Sequence, residues 1–363
     1  MKWIHPKEHP DIALPDIAAI VRERLENGAE FKLEHDPAAI GEMVLRQLKE
    51  KRKERPKGLA SLRLSSSGSC IRRLAYDFHG IEPNGFVAEA GSVLTFATGD
   101  ATEGLLTTAL LEAIEGIADI HLEHVNENQQ RVNIRVPLVG DLSDAIGKPW
   151  AGIPIPGHPD GQGVVPLWQK GHKTPTKVPF ILEVKSMSDF GFNKFCKEGM
   201  PSYEEDGNPN GYAFQTQAYQ LAKRQEGIPV EWTYLIAFGK AVSAKDAEVF
   251  IDPPMTRNNT PSKRYAAHEP DQWAKRFPVV GIWIRRSPEV QAEIVDRFQR
   301  VLLSRDPEEF DKPYGPKTAG ARLRFPCDWC PHMYTCWPGA KQYAQVYGYY
   351  RELVSIHTMT PKE

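Results

Sequence analysis

Three cysteines near the C-terminus, Cys327, Cys330 and Cys336, follow the spacing C-x2-C-x5-C, and a fourth, Cys70, lies far upstream just before Arg72 and Arg73. Thiolates are strong ligands for zinc and for iron–sulfur clusters, and C-x2-C is a strong ligand-pair spacing. Four such ligands would staple the two ends of the chain together. Zinc can use four cysteines, or three with a histidine, and His332 stands inside the run. A 4Fe–4S cluster also takes four thiolates, and its ligands can be scattered along the sequence. The spacing alone leaves both metals open. Cys196 lies outside the pattern and reads as a packed thiol.

A second set of residues is acidic. Glu183 and Lys185 flank Val184 directly after the apolar run Phe180-Ile181-Leu182. In a strand, positions i and i+2 point to one face, so both charges emerge together while Val184 points away. An isolated E-x-K is most simply a salt bridge at a sheet edge. Asp160, in Gly157-His158-Pro159-Asp160-Gly161, changes that reading. Carboxylates on neighbouring strands can bind a hard divalent cation, and Mg²⁺ or Mn²⁺ can activate water toward a phosphodiester. A lysine beside them can stabilise developing negative charge. His158 reads as structural. Glu103 lies early in a helical segment, where a carboxylate suits the positive helix end, and is a plausible third metal ligand. Gln215 and Tyr219 share a helix face at i and i+4; Tyr can stack on a base or bond a phosphate. Lys170, Lys173 and Lys177 make the second half of the Asp160–Glu183 connection basic, able to grip a phosphate backbone if it protrudes.

The elements that must position these residues follow from periodicity. Apolar residues at helical spacing (Ile17, Ile20, Val21, Leu25; then Ile40, Val44, Leu48) make residues 1–60 read as polar, helical and packed on another element. Residues 99–116 read as a helix. Two period-two runs, Ile120 to Val125 and Val132 to Val136, predict a hairpin turning near 126–130. Residues 152–165 predict one strand carrying the Asp160 turn, and 179–187 a short apolar strand. Residues 212–224 predict a Gln- and Ala-rich helix, 230–238 and 247–251 strands, and 282–303 a run into a long helix. A mixed sheet flanked by helices is the natural packing for that order.

The 363 residues, 41% hydrophobic and 25% charged, describe a globular protein with a sizeable core. No apolar run approaches the ~18 residues of a membrane helix. The N-terminus has no signal-peptide core, so a cytoplasmic protein with reduced cysteines is expected. A net charge of −2 gives no global nucleic-acid footprint, but it permits an acidic metal pocket with local basic patches.

Taken in order, Cys70, Gly99-x3-Glu103, Gly157 to Gly161, Glu183-Val184-Lys185, Gln215-x3-Tyr219 and Cys327-x2-Cys330-x5-Cys336 resemble the RecB-like branch of the PD-(D/E)xK nucleases. More narrowly, they resemble its iron–sulfur members: CRISPR-adaptation exonucleases, the AddB-type nuclease domain and the nuclease domain of Dna-two-type helicases. The resemblance spans roughly residues 65–340. It implies an α/β restriction-endonuclease-like core, a mixed central sheet flanked by helices; outside it lie the helical region expected over 1–64 and a C-terminal helix or tail expected over 341–363. It also implies that Asp160, Glu183 and the Val184 carbonyl ligate Mg²⁺ or Mn²⁺, that Lys185 is the catalytic lysine, and that Gln215 and Tyr219 orient the site and the DNA strand. Cys70, Cys327, Cys330 and Cys336 would hold a structural 4Fe–4S cluster. Many family members carry His where this chain has Glu103. No phosphate-binding loop is present, so no helicase motor accompanies the nuclease. The expectation is a stand-alone, phage- or mobile-element-borne exonuclease on single-stranded DNA ends, acting in a bacterial or phage-infected cell, with Lys173 and Lys177 touching DNA and the N-terminal helices free to dock a partner. The rival is a non-catalytic nucleic-acid-binding protein stabilised by a four-cysteine site.

Overall fold

The computed structural model describes residues 11–26, 57–84, 132–138, 152–187, 211–239, 279–312 and 330–338, the strand backbone at 3–4, 121–124, 343–346 and 349–352, and the single residues Leu110, Phe192, Phe195 and Cys327. Its strands are β1 (Trp3–Ile4), β2 (Ile12–Pro15), β3 (His121–His124), β4 (Val132–Val136), β5 (Ile153–Gly157), β6 (Gly161–Gln169), β7 (Thr176–Met187), β8 (Trp232–Gly239), β9 (Val279–Arg285), β10 (Tyr343–Val346) and β11 (Tyr349–Glu352). The helices are α1 (Ile17–Glu26), α2 (Ile71–His79), α3 (Gly211–Gln225), α4 (Pro288–Leu303) and the single turn α5 (Met333–Cys336). Two short 3₁₀ turns, Gly58–Ser61 and Leu64–Ser66, precede α2, and a third, Pro307–Glu309, follows α4.

The molecule is a mixed α/β protein built on a seven-stranded sheet in the order β1-β2-β6-β7-β8-β9, with β3 also on β6. β6 and β7 form an antiparallel hairpin, β7 and β8 run parallel, and β8 and β9 are antiparallel. Parallel neighbours need a crossover connection, and α3 lies in the chain between β7 and β8. β8 is buried along nearly its whole length, which is why its sequence is almost continuously apolar rather than alternating.

Period two sorts the side chains of β7 between two cores. Phe180, Leu182 and Val184 join Trp232, Tyr234, Ile236, Leu14 and Ile17 in the cluster that β2 and α1 cover. Ile181, on the opposite face, joins Phe214, Ala218 and Tyr219 of α3 in a cluster with β4, β5, α2 and α4. Glu183 and Lys185 share the parity of Ile181 and so stand on the α3 side. Buried glutamines fix α3 against its neighbours. Gln220 Nε2 donates to Thr233 Oγ1 at 2.9 Å, and Gln217 Nε2 donates to the Arg285 carbonyl at 2.8 Å. Gln225 Oε1 accepts from the Arg135 backbone N–H at 2.7 Å. Ser287 caps α4 by accepting from Val290 N, with Pro288 in the first turn.

The structure corrects four sequence expectations. The period-two runs near 121 and 132 are both strands but not a hairpin, because β3 pairs with β6 and β4 pairs with β5. The single strand expected over 152–165 is two strands in two sheets, β5 and β6, separated at His158-Pro159-Asp160; Pro159 has no N–H to continue a ladder. The N-terminal region expected to be helical contains β1 and β2, and β2 pairs with β6. In the segment expected as a C-terminal helix or tail, the described residues 343–346 and 349–352 are paired antiparallel strands. The helix expected over 99–116, apart from Leu110, the stretch 40–48 and the strand 247–251 lie outside the described residues. Among the described residues no helix is long and apolar enough to cross a membrane.

Candidate active site and cysteine centre

Asp160 sits where the chain crosses from the small β4–β5 sheet into the main one. Gly161 pairs with Leu182 across the β6–β7 hairpin, which brings Asp160 alongside Glu183 and Val184. Asp160 Oδ2 accepts the Val184 N–H at 2.7 Å, a bond that fixes the carboxylate at the C-terminal end of β7. Open α/β sheets bind ligands outside the carboxyl ends of parallel strands, and β7 and β8 end here. Glu183 is fully buried at 0% exposure, and Lys185 is 13% exposed. Their side chains form an ion pair, which offsets the cost of burying the carboxylate. Lys185 Nζ also lies 4.0 Å from Asp160 Oδ2. One ammonium thus faces two carboxylates, and the local charge balance leaves room for a cation.

Helix α3 completes the group. Gln215 Nε2 donates to Tyr219 Oη at 3.0 Å inside the core. Burial pushes the Tyr219 phenol strongly up, and the negative charge of Glu183 pushes it further, with Asp160 adding to the effect. Tyr219 is therefore a neutral hydroxyl within electrostatic reach of both carboxylates. Its ring presses on Gly157: a Cβ there would stand 2.7 Å from Tyr219 Cε1 and 2.7 Å from Leu64 Cβ. Glycine is required at this point by space rather than by a left-handed backbone. The Lys185 ammonium also lies over the ring of Tyr212, 5.6 Å from its centroid.

Asp160, Glu183, Val184, Lys185, Gln215 and Tyr219 are thus brought together. Lys173 and Lys177 are not part of that group. They are exposed at the turn end of the β6–β7 hairpin, and at about 3.3 Å per residue Lys177 lies roughly 25 Å along β7 from Lys185. Lys170 at the same tip is 3.2 Å from Asp11. His158 is exposed beside the crossing. Glu103 and Cys196 lie outside the described residues.

The four cysteines form a second centre. Cys70 is the N-cap residue of α2. The Cys330 N–H bonds the Cys327 carbonyl at 3.1 Å, and the Cys336 N–H bonds the His332 carbonyl at 2.9 Å, so consecutive turns present the three C-terminal thiols. None of the four is in a disulfide, and all are partly buried. Burial pushes the Cys327 thiol up to about 12, and the charges of Cys70, Cys330 and Cys336 act in the same direction. Thiols that raise one another's pKa in this way lie within electrostatic reach of one another. Cations offset the effect: Arg73 favours the thiolate of Cys330, and Arg72 and Lys312 favour that of Cys336. The Cys330 sulfur also accepts the His332 backbone N–H. Among the described residues, no three His, Cys, Asp or Glu side chains stand close enough in this conformation to hold a metal ion. The donor types nevertheless suit one in each centre: oxygen ligands beside β7, and four thiols among compensating cations at the cysteines.

His332 is buried and its Nε2 lies 3.0 Å from Asp77 Oδ1 on α2. That partnership ties the cysteine run to α2 and makes His332 a brace, with its ring 5.1 Å from that of Tyr76. Two further hydrogen bonds tie the run to the segment after α2, from the Asn84 N–H to the Pro331 carbonyl and from the Thr335 N–H to Asn84 Oδ1, each 3.0 Å. Sequence reasoning missed Tyr212, Asp77 and Leu64 as parts of these centres. Only Tyr212 carried a legible signal, because its helical spacing from Gln215 and Tyr219 puts it on their face.

Comparison of the chain with protein-family models, with curated proteins and with solved structures finds no match.

Proposed function

We propose that the chain is a metal-dependent DNA nuclease of the PD-(D/E)xK type, an exonuclease on single-stranded ends, closed by a four-cysteine iron–sulfur cluster. The observation that supports it most is the convergence of Asp160, Glu183 and Lys185 at one end of β7 beside Gln215 and Tyr219 on the crossover helix. A plain salt bridge needs one carboxylate and no neutral tyrosine next to it. The strand order β6-β7-β8, with β8 parallel to β7 after α3, agrees with a restriction-endonuclease-like core.

On this reading Asp160 and Glu183, with the Val184 carbonyl, would hold Mg²⁺ or Mn²⁺. When bound, the cation would lower the pKa of a water and withdraw charge from the phosphodiester. The chain's own residues do the rest. Lys185 offers an ammonium to the negative charge that develops on the phosphate oxygens. Gln215 holds the Tyr219 hydroxyl, and Tyr219 walls the carboxylates so that they keep their spacing. The exposed lysines 173 and 177 contact the backbone of the strand away from the reacting bond. Cys70, Cys327, Cys330 and Cys336 would hold the cluster, and Arg72, Arg73 and Lys312 would favour their thiolates.

The test is digestion of end-labelled single-stranded DNA, beside a circular control, with Mg²⁺ or Mn²⁺. Wild type should degrade the linear strand only with metal, and Lys185→Ala should not cleave. Cleavage by Lys185→Ala at the wild-type rate overturns the catalytic assignment, and a wild type that cuts nothing overturns the nuclease reading. Brown protein with iron and sulfide in equal amounts supports the cluster, whereas colourless protein with zinc refutes it.

A further inference from the structure

Tyr212 stands in the first turn of α3, half-buried, one turn before Gln215. It packs on the cluster formed by Met187, Phe192, Phe195, Leu235 and Ala237, and its ring lies under the Lys185 ammonium at 5.6 Å. The ion pair with Glu183 and the 4.0 Å approach to Asp160 also hold that ammonium. Both of these carboxylates are the ones a divalent cation would take. Once they neutralise a metal, their pull on Lys185 falls, and the metal repels the ammonium directly. A lysine has a flexible four-carbon stem and leaves a site readily when its counter-charge is lost. An aromatic face carries no net charge, so its attraction for the ammonium persists with a metal nearby.

We propose that Tyr212 is a positioning residue for Lys185, whose π face keeps the ammonium at the reacting phosphate after the carboxylates engage a metal. The inference rests on the nuclease reading. An aromatic ring over a largely desolvated ammonium shifts such a positional equilibrium by about tenfold.

The experiment compares wild type, Tyr212→Phe, Tyr212→Leu and Tyr212→Met in Mn²⁺-dependent digestion of single-stranded DNA. It also measures Mn²⁺ affinity by titration calorimetry and the melting temperature of each protein. Tyr212→Leu and Tyr212→Met, which fill the space without a π face, should lose about tenfold in kcat while KM and Mn²⁺ affinity stay near wild type. Tyr212→Phe should restore kcat. Tyr212→Met keeps the test open if Tyr212→Leu fails to fold, because a flexible side chain repacks more easily. A lower melting temperature with unchanged kcat would assign Tyr212 to packing and overturn the inference. Loss in Tyr212→Phe as deep as in Tyr212→Leu would credit the hydroxyl and overturn it too. An active wild type with an equally active Tyr212→Leu sinks this inference alone; an inactive wild type sinks the nuclease reading and this with it.

Discussion

Gly157→Ala links the fold to the chemistry more directly than removal of a charged residue does. The added methyl would sit 2.7 Å from Tyr219 Cε1, 2.7 Å from Leu64 Cβ and 2.8 Å from Leu64 Cδ1. Carbon atoms pack at about 3.5–4.0 Å, so the ring, the Leu64 turn or β5 must yield by about 1 Å. β5 is held by its ladder to β4, where Gly157 pairs with Val132, and Leu64 is fully buried. Forcing volume into such a site costs about 1–3 kcal/mol. A domain stable by about 5–15 kcal/mol stays folded after that loss, so activity can be measured on native protein. Tyr219 is as deeply buried as Leu64, and a shift of its ring reaches the site because its hydroxyl accepts from Gln215 at 3.0 Å. Losing that bond removes about 0.5–1.5 kcal/mol, and a displaced ring no longer walls the carboxylates. Urea titration should show a stability loss of about 1–3 kcal/mol, and single-strand digestion should slow by about tenfold, the equivalent of one such bond in the barrier. If stability falls and cleavage does not, Tyr219 has no part in ordering the site. If neither changes, the close approach of Tyr219 and Leu64 to Gly157 is refuted.

Three other outcomes follow from the same structure. On the proposed reading, Cys330→Ser should strip the cluster and lower the melting temperature of the whole chain, because four thiols bound to it would close a very long loop; melting like wild type would refute a structural closure. Lys173→Ala with Lys177→Ala should weaken single-strand binding and flatten the plot of log affinity against log salt by about 1.4, at about 0.7 per lost phosphate contact, leaving kcat intact. An unchanged slope places DNA elsewhere. The Arg72 side chain, and then the Tyr76 hydroxyl, hold Glu308 below its ordinary 4.5. A depressed carboxylate favours the folded form above that pH, and the contribution is lost as pH falls below 4.5. Glu308→Gln should therefore flatten the acid-side fall of stability, and superimposable acid titrations of the two proteins would contradict the assignment.

What could be read in the sequence was local. Glu183 and Lys185 sit two apart in an apolar strand, and a strand of any register puts them on one face. Gln215 and Tyr219 sit one helical turn apart, and any helix puts them together. The Gln- and Ala-rich helix expected over 212–224 is α3, one residue longer at each end. Partners were not local. The runs at 121–124 and 132–136 both alternate, and alternation says that a strand has one buried face without saying which strand it meets. Only the break at Pro159 sends β5 to β4 and β6 to β3. Ile12 to Pro15 is too short and too close to α1 for its own periodicity to register, yet its edge pairs with β6. Tyr212 escaped because a tyrosine among partly buried apolar side chains looks like packing until the lysine over it is placed.

The two centres share one stretch of chain. Leu64, in the 3₁₀ turn, packs on Gly157 beside the Tyr219 ring, and the same segment runs on through Ser69 to Cys70. Arg297 of α4 binds that segment from the other side: it donates to the Ser69 carbonyl, and its guanidinium lies 5.1 Å from the Phe214 ring on α3. Phe214 neighbours Gln215. On the proposed reading, a displacement of Cys70 would reach Tyr219 by two routes, through the Leu64 turn and through Arg297 and Phe214 on the helix that carries it. Closely packed interiors transmit such displacements because they have little free volume to absorb them. On the proposed reading, the cluster does more than close the chain. By fixing Cys70 it fixes the turn against which Tyr219 is seated. Partial loss of the cluster should then disorder the acidic site before the sheet itself unfolds, since β7 and β8 are held by ladder bonds and by the α1-side core that the cysteines do not touch.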